Sequence, residues 1–161
     1  MELNIATKGN KYLVSDKGQG RHIYTMKKKG FGGGKYVLLD ASDYQLYGFQ
    51  QVEEGQKPRF VISNNGNSIL HITCKSLFLD PTLMVEGRDL SGNQIKYAIQ
   101  SKDHKNFEIM RGEEKIGSLA VKVSMSNELQ YDLEINDKCF DDYIAFFALA
   151  ADLTFGEMNK K

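Results

Sequence analysis

Residues 139–155 read Cys139-Phe140-Asp141-Asp142-Tyr143-Ile144-Ala145-Phe146-Phe147-Ala148-Leu149-Ala150-Ala151-Asp152-Leu153-Thr154-Phe155, and they follow a strand-like stretch that ends at Ile135. From Tyr143 to Ala151 the only polar side-chain group is one phenol. Ala and Leu favour helix, and Asp141 and Asp142 suit its N-terminus. The expected helix runs Asp141–Phe155 and has no polar face. A helix that is apolar all round must be buried all round. This one is too short to cross a bilayer, which takes about 20 apolar residues. The rest of the chain must therefore wrap around it.

Upstream, three segments share one pattern. Tyr12-Leu13-Val14-Ser15-Asp16-Lys17-Gly18 continues into Ile23–Lys28, Phe60-Val61-Ile62-Ser63-Asn64-Asn65-Gly66 into Ile69–Lys75, and Phe107-Glu108-Ile109-Met110-Arg111-Gly112 into Ile116–Lys122. Each is an aromatic-led strand, a polar turn bearing Gly, and a second strand ending near lysine, as a hairpin requires. Tyr12, Phe60 and Phe107 are expected at equivalent positions. The first two units match further. Asp40-Ala41-Ser42-Asp43-Tyr44-Gln45-Leu46 aligns with Asp89-Leu90-Ser91-Gly92-Asn93-Gln94-Ile95. This Asp-x-Ser pattern reads as a turn whose side chains bond nearby backbone, since a metal loop would want more carboxylates.

About twelve strands follow from the alternation: Glu2–Ala6, Lys11–Ser15, Arg21–Lys28, Lys35–Asp40, Gln45–Val52, Arg59–Ser63, Ser68–Lys75, Leu83–Arg88, Gln94–Gln100, Asn106–Met110, Lys115–Val123 and Glu128–Ile135. The third unit has one strand too few, and the N-terminal strand can supply it. A closed antiparallel barrel has no exposed edges. About twelve strands leave a lumen wider than wall side chains can fill, and the apolar helix is its plug. The expected fold is mainly β, one domain over 1–161, with no ligand-sized cavity inside.

Composition narrows the function. Charged residues are 26% of the chain, 21 basic against 21 acidic, for zero net charge. Nucleic-acid binding usually needs a basic excess, so it is not expected. Cys74 and Cys139 have no zinc or redox spacing. Cys74 shares a face with Leu70 and Ile72 and reads as a buried free thiol. The segment Met1–Ile5 has no basic and apolar secretory pattern. A reducing, cytosolic location is expected.

The repeated hairpins, the Asp-x-Ser-x-x-Gln turns and the strand Tyr131–Ile135 before Ala-Phe-Phe-Ala-Leu-Ala-Ala-Asp resemble the tubby C-terminal-like superfamily. The chain looks closest to its LURP-one-related and phospholipid scramblase-like branch. The resemblance spans about Tyr12 to Phe155 and implies a twelve-stranded barrel around a hydrophobic helix. Tubby domains bind phosphoinositide head groups, and scramblase-like members are associated with calcium and lipid movement. The scramblase acidic loop has no counterpart here, and the tubby lipid site maps onto no particular residues.

Catalysis has little support. His22, His71 and His104 are scattered, without a partner pattern for a nucleophile or metal. No cofactor or metal is expected. Gly30-Phe31-Gly32-Gly33-Gly34-Lys35 lacks the phosphate-loop spacing and the following helix. It reads as an exposed, mobile inter-strand loop. Arg21, Lys27, Lys28, Lys29 and Lys35 concentrate positive charge around it, with Phe31 placed to insert among lipids. They are the candidate site for an anionic partner, such as a membrane surface or phosphoinositide-like head group. The rival readings are a protein-interaction scaffold without lipid contact and scramblase-type lipid handling. Asp132 and Glu134 are expected to face solvent, and Asp141 and Asp142 to serve the helix N-terminus. Asp152 is the one charge within the apolar run. It is expected near the barrel mouth, bonded to a turn backbone or a basic side chain.

Overall fold

The computed structural model describes residues 1–30, 34–55, 57–126 and 128–159. Twelve strands form one closed antiparallel barrel. They are β1 (Glu2–Lys8), β2 (Lys11–Asp16), β3 (Arg21–Lys28), β4 (Lys35–Asp40), β5 (Gln45–Glu53), β6 (Arg59–Asn64), β7 (Asn67–Ser76), β8 (Thr82–Arg88), β9 (Gln94–Ser101), β10 (Asn106–Arg111), β11 (Glu114–Val123) and β12 (Leu129–Ile135). Each pairs with its sequence neighbours, and β1 pairs with β12 to close the ring. Period-two alternation drives this arrangement. Leu3 and Ile5, Tyr12 and Val14, Tyr24 and Met26, and Tyr36 and Leu38 point inward and are buried. Their neighbours form the outer wall.

The three-unit repeat is real. Tyr12, Phe60 and Phe107 each occupy the second position of β2, β6 and β10, and all three are buried. The register slips at the same place in each hairpin, between Val14 and Ser15, Ile62 and Ser63, and Ile109 and Met110. The Asp turns also match. Asp40 Oδ1 accepts from the backbone of Ser42 and Tyr44, and Asp89 Oδ1 from Ser91 and Asn93. Asp43 (φ 62°) and Gly92 (φ 83°) fill the left-handed position in the two turns. In the third unit β12 has no such turn. The chain leaves for the lumen instead, and β1 stands where a fourth strand would follow.

The lumen is filled by α1 (Ala145–Asn159), whose residues Ala145 to Ala151 are all buried. Phe146 packs on Phe49 at 5.1 Å between ring centroids, and Phe155 on Phe107 at 5.4 Å. The helix starts four residues later than the expected Asp141 and ends four later than Phe155. Residues Asp142–Ile144 form a 3-10 turn instead. The carboxylates that suggested a helix N-terminus are held by the wall, so the backbone crosses the barrel mouth before it coils. At the far end Asn159 Nδ2 donates to the His104 carbonyl at 2.9 Å, which fastens the last turn to the β9–β10 connection.

Candidate functional site

Both ends carry charges of both signs, but strand direction places a set of carboxylates at one end and a run of lysines at the other. The chain enters the lumen after β12. At that end lie the β2–β3, β4–β5, β6–β7, β8–β9 and β10–β11 turns. It holds Asp40, Asp43, Asp89, Asp137, Asp141 and Asp142. The opposite end, where α1 finishes, holds Lys8, Lys11, Lys27, Lys28, Lys29 and Lys35. A neutral chain is thus folded into a barrel with unlike ends.

Carboxylates at the helix start are explained by the architecture. The Tyr24 hydroxyl donates to Asp142 Oδ1, and the Tyr47 hydroxyl to Asp141 Oδ1 at 3.0 Å. Asp141 and Asp142 therefore bind wall phenols and are not side-chain caps of α1. Burial raises the Asp141 carboxyl above the usual range, even though the Tyr47 hydrogen bond opposes the shift. Burial, with the neighbouring carboxylates, also raises the Tyr24 and Tyr47 phenols, which keeps them as donors.

Asp152 follows the same rule near the opposite mouth, where it is half-buried. It accepts from the Tyr12 and Tyr131 hydroxyls, each at 2.5 Å. Its partners are phenols of the wall, not the turn backbone or basic side chain expected. A Cβ at Gly156 would stand 2.8 Å from Asp152 Oδ1, so glycine there leaves room for the carboxylate. On the outer wall Asp132 takes Asn4 Nδ2 at 3.0 Å and Lys122 Nζ at 2.6 Å. Partial burial opposes ionisation of Asp132, but these bonds outweigh it and hold the carboxyl low.

The lysines have no comparable explanation. Lys8 faces Lys11 across β1–β2, and Lys11 faces Lys27 across β2–β3. Alternation places all three on the outer wall, next to the rim, and all are exposed. The Lys29 backbone N–H donates to the Lys35 carbonyl at 2.8 Å, which extends the row to β4. Among the described residues none of these ammonium groups makes an ion pair. Like charges directly opposite on a sheet are destabilising.

The structure therefore brings Lys27, Lys28, Lys29 and Lys35 together and separates Arg21 from them. Arg21 begins β3 and Lys28 ends it, about 23 Å apart at roughly 3.3 Å per residue. Phe31, the expected membrane contact, lies outside the described residues, as do Gly32 and Gly33. Lys8 and Lys11 are the members that sequence reasoning missed. Their signal was the two-residue Gly9-Asn10 turn, which forces the flanking lysines to face each other.

Among the described residues the histidines and cysteines form no site of their own. His104 contacts the Leu77 carbonyl, His22 lies 2.9 Å from the Thr25 hydroxyl, and His71 is exposed. Among the described residues no cluster of His, Cys, Asp or Glu could hold a metal ion. Cys74 is free and buried, and burial raises its thiol.

These features define a class: a β-barrel closed on itself, plugged by its own C-terminal helix and basic at one rim. A crystallographic structure of a protein from Arabidopsis thaliana has the same fold, with a TM-score of 0.57, 14% identity, and coverage of 98% of this chain and 90% of that one. The family model described as LURP-one-related matches residues 2–152, and the chain belongs to that family. No curated protein matches the chain. Among the described residues no helix is long and apolar enough to cross a membrane.

Proposed function

We propose that this barrel is a non-enzymatic, peripheral membrane-binding domain that works on the cytosolic side. It docks on anionic lipid through the rim built by Lys8, Lys11, Lys27, Lys29 and Lys35. One observation carries the reading: lysines face lysines across three adjacent strands with no ion pair among the described residues. Stability does not ask for that arrangement, whereas an anionic surface does. Each lysine near such a surface contributes on the order of 1 kcal/mol. The attraction is screened over about 8–10 Å at physiological ionic strength.

Flotation with phosphatidylcholine vesicles, with and without phosphatidylserine, tests it. The chain should float only with the anionic lipid and detach as salt rises. Replacing Lys27, Lys29 and Lys35 by Ser should abolish flotation at nearly unchanged melting temperature. Salt-insensitive binding in that variant, or indifference to lipid charge, would discard the site and leave the protein-scaffold reading.

A further inference from the structure

Of the eight exposed large apolar side chains among the described residues, Met1, Tyr44 and Leu90 stand at the end where α1 starts, and the other five stand at the same end as the lysines. Met125 is fully exposed, Leu79 is 85% exposed and Phe78 65%, and Val123 and Val52 join them. They stand at the β5–β6, β7–β8 and β11–β12 connections, all at the end where α1 finishes. Two of these connections are braced. The Ser76 hydroxyl donates to the Leu79 carbonyl, and the His104 ring contacts the Leu77 carbonyl at 2.9 Å. Ser124 Oγ accepts from the Glu128 backbone at 3.1 Å, and the Ser124 backbone donates to the Glu128 carbonyl at 2.8 Å. The hydrogen bonds hold the loops while Phe78, Leu79 and Met125 project outward.

The tips do not form one patch. Around the rim come the Met125 connection, the lysine row on β1–β4, Val52, then Phe78 and Leu79. A twelve-stranded ring is roughly 20–25 Å across, from a strand spacing of about 4.8 Å and a tilt of about 40°. A fluid, planar phase can meet tips on different sides of such a ring at once. Charge alone also faces opposition, because Glu54, Asp80 and Glu128 stand at this end and are exposed. Apolar insertion supplies attraction that these carboxylates do not cancel.

We infer that the barrel docks end-on, with the β7–β8 and β11–β12 tips entering an anionic bilayer at the boundary between head groups and acyl chains. The lysine row then lies against the head groups, and the Asp40–Asp89 end points away from the membrane. This inference rests on the docking reading above.

The chain has no tryptophan, so one introduced indole reports alone. Met125→Trp and Leu79→Trp place it on the two tips, and Tyr44→Trp places it on an exposed position at the opposite end. With vesicles of phosphatidylcholine and phosphatidylserine carrying brominated acyl chains, the two tip indoles should shift to the blue and be quenched. The Tyr44→Trp indole should do neither. Combined Met125→Asp and Leu79→Asp should weaken partitioning at least about tenfold, the scale of burying one such side chain, without lowering the melting temperature. Flotation with both tip indoles unquenched, or with all three quenched alike, overturns end-on insertion while docking stands. If the unaltered chain does not float, the docking reading falls and this inference with it.

Discussion

The two ends of the barrel treat charge in opposite ways. Where the helix starts, the carboxylates that looked exceptional in the sequence have partners within the fold, while Arg21 makes no ion pair among the described residues. Asp40 and Asp89 hold turn backbone, Asp141 holds Tyr47 and Asp142 holds Tyr24. Where the helix finishes, Lys8, Lys11 and Lys27 face one another and pair with no described carboxylate. One end is accounted for by the fold itself. At the other the fold tolerates repulsion, and that end is the one to interrogate with ligands.

The comparison can be broken first at what both ends share, the plug. Phe147 is fully buried against Tyr97 and Tyr143, so Phe147→Asp buries an unpaired charge. The domain should fail to fold, which far-ultraviolet circular dichroism and a thermal melt would report. A folded variant would mean that the helix is not structural. Next in size is Asp152→Leu, which strands the Tyr12 and Tyr131 hydroxyls. Each unpaired buried phenol costs about 1–3 kcal/mol, so urea denaturation should show a loss of roughly 2–4 kcal/mol. No loss would show that the phenols find water, and that polar groups bound to the plug are not structural.

Smaller effects sharpen the contrast. Asp141→Asn keeps an acceptor for Tyr47 and removes a carboxylate whose native pKa burial has raised. A raised acid binds more protons folded than unfolded, so its ionisation costs stability as pH climbs above the usual carboxylate range near 4. The Asn variant should match the parent in acid and become relatively more stable towards neutrality. A gap that does not change with pH would reject the burial assignment. The smallest effect has the opposite sign from most substitutions. Lys11→Glu turns two like-charge pairs into two opposite pairs and should gain about 0.5–1 kcal/mol in denaturant melts while anionic-vesicle binding weakens. Lost stability there would remove the argument that the lysine row exists for a partner.

Much of the fold was legible because alternation and turn residues are local. Every strand fell within a residue or two of its expected limits, since inward Tyr, Phe, Ile and Leu recur at every second position along nearly all of them and turn residues bound the runs. The plug was legible because Tyr143–Ala151 offers no polar face. Its start was misjudged because Asp141 and Asp142 satisfy a local rule for helix N-termini. Their true partners, Tyr47 and Tyr24, lie 94 and 118 residues away. Tyr12 reaches Asp152 across 140 residues. Such pairs leave no periodic trace. The basic site was half legible: Lys27, Lys28, Lys29 and Lys35 are close in sequence and in space. Arg21 was added because it too is close in sequence, although a whole strand intervenes. Lys8 and Lys11 were missed because cross-strand facing must be worked out from the Gly9-Asn10 turn.

Closing the ring between β1 and β12 has a consequence for how the molecule is made. Asn4 meets Asp132 across 128 residues, and the plug follows later still in the chain. As the chain leaves the ribosome, β1 has no second neighbour and the inward aromatics have no helix to cover them. The hairpins can assemble early because their contacts are local, but the ring seals only once β12 has been made, after a long loop has been closed. Until then an unpaired strand edge and an open apolar lumen are exposed together, the two conditions under which nascent chains associate wrongly. The lumen's dependence on the last helix makes the final residues of the domain the gatekeepers of its solubility during birth.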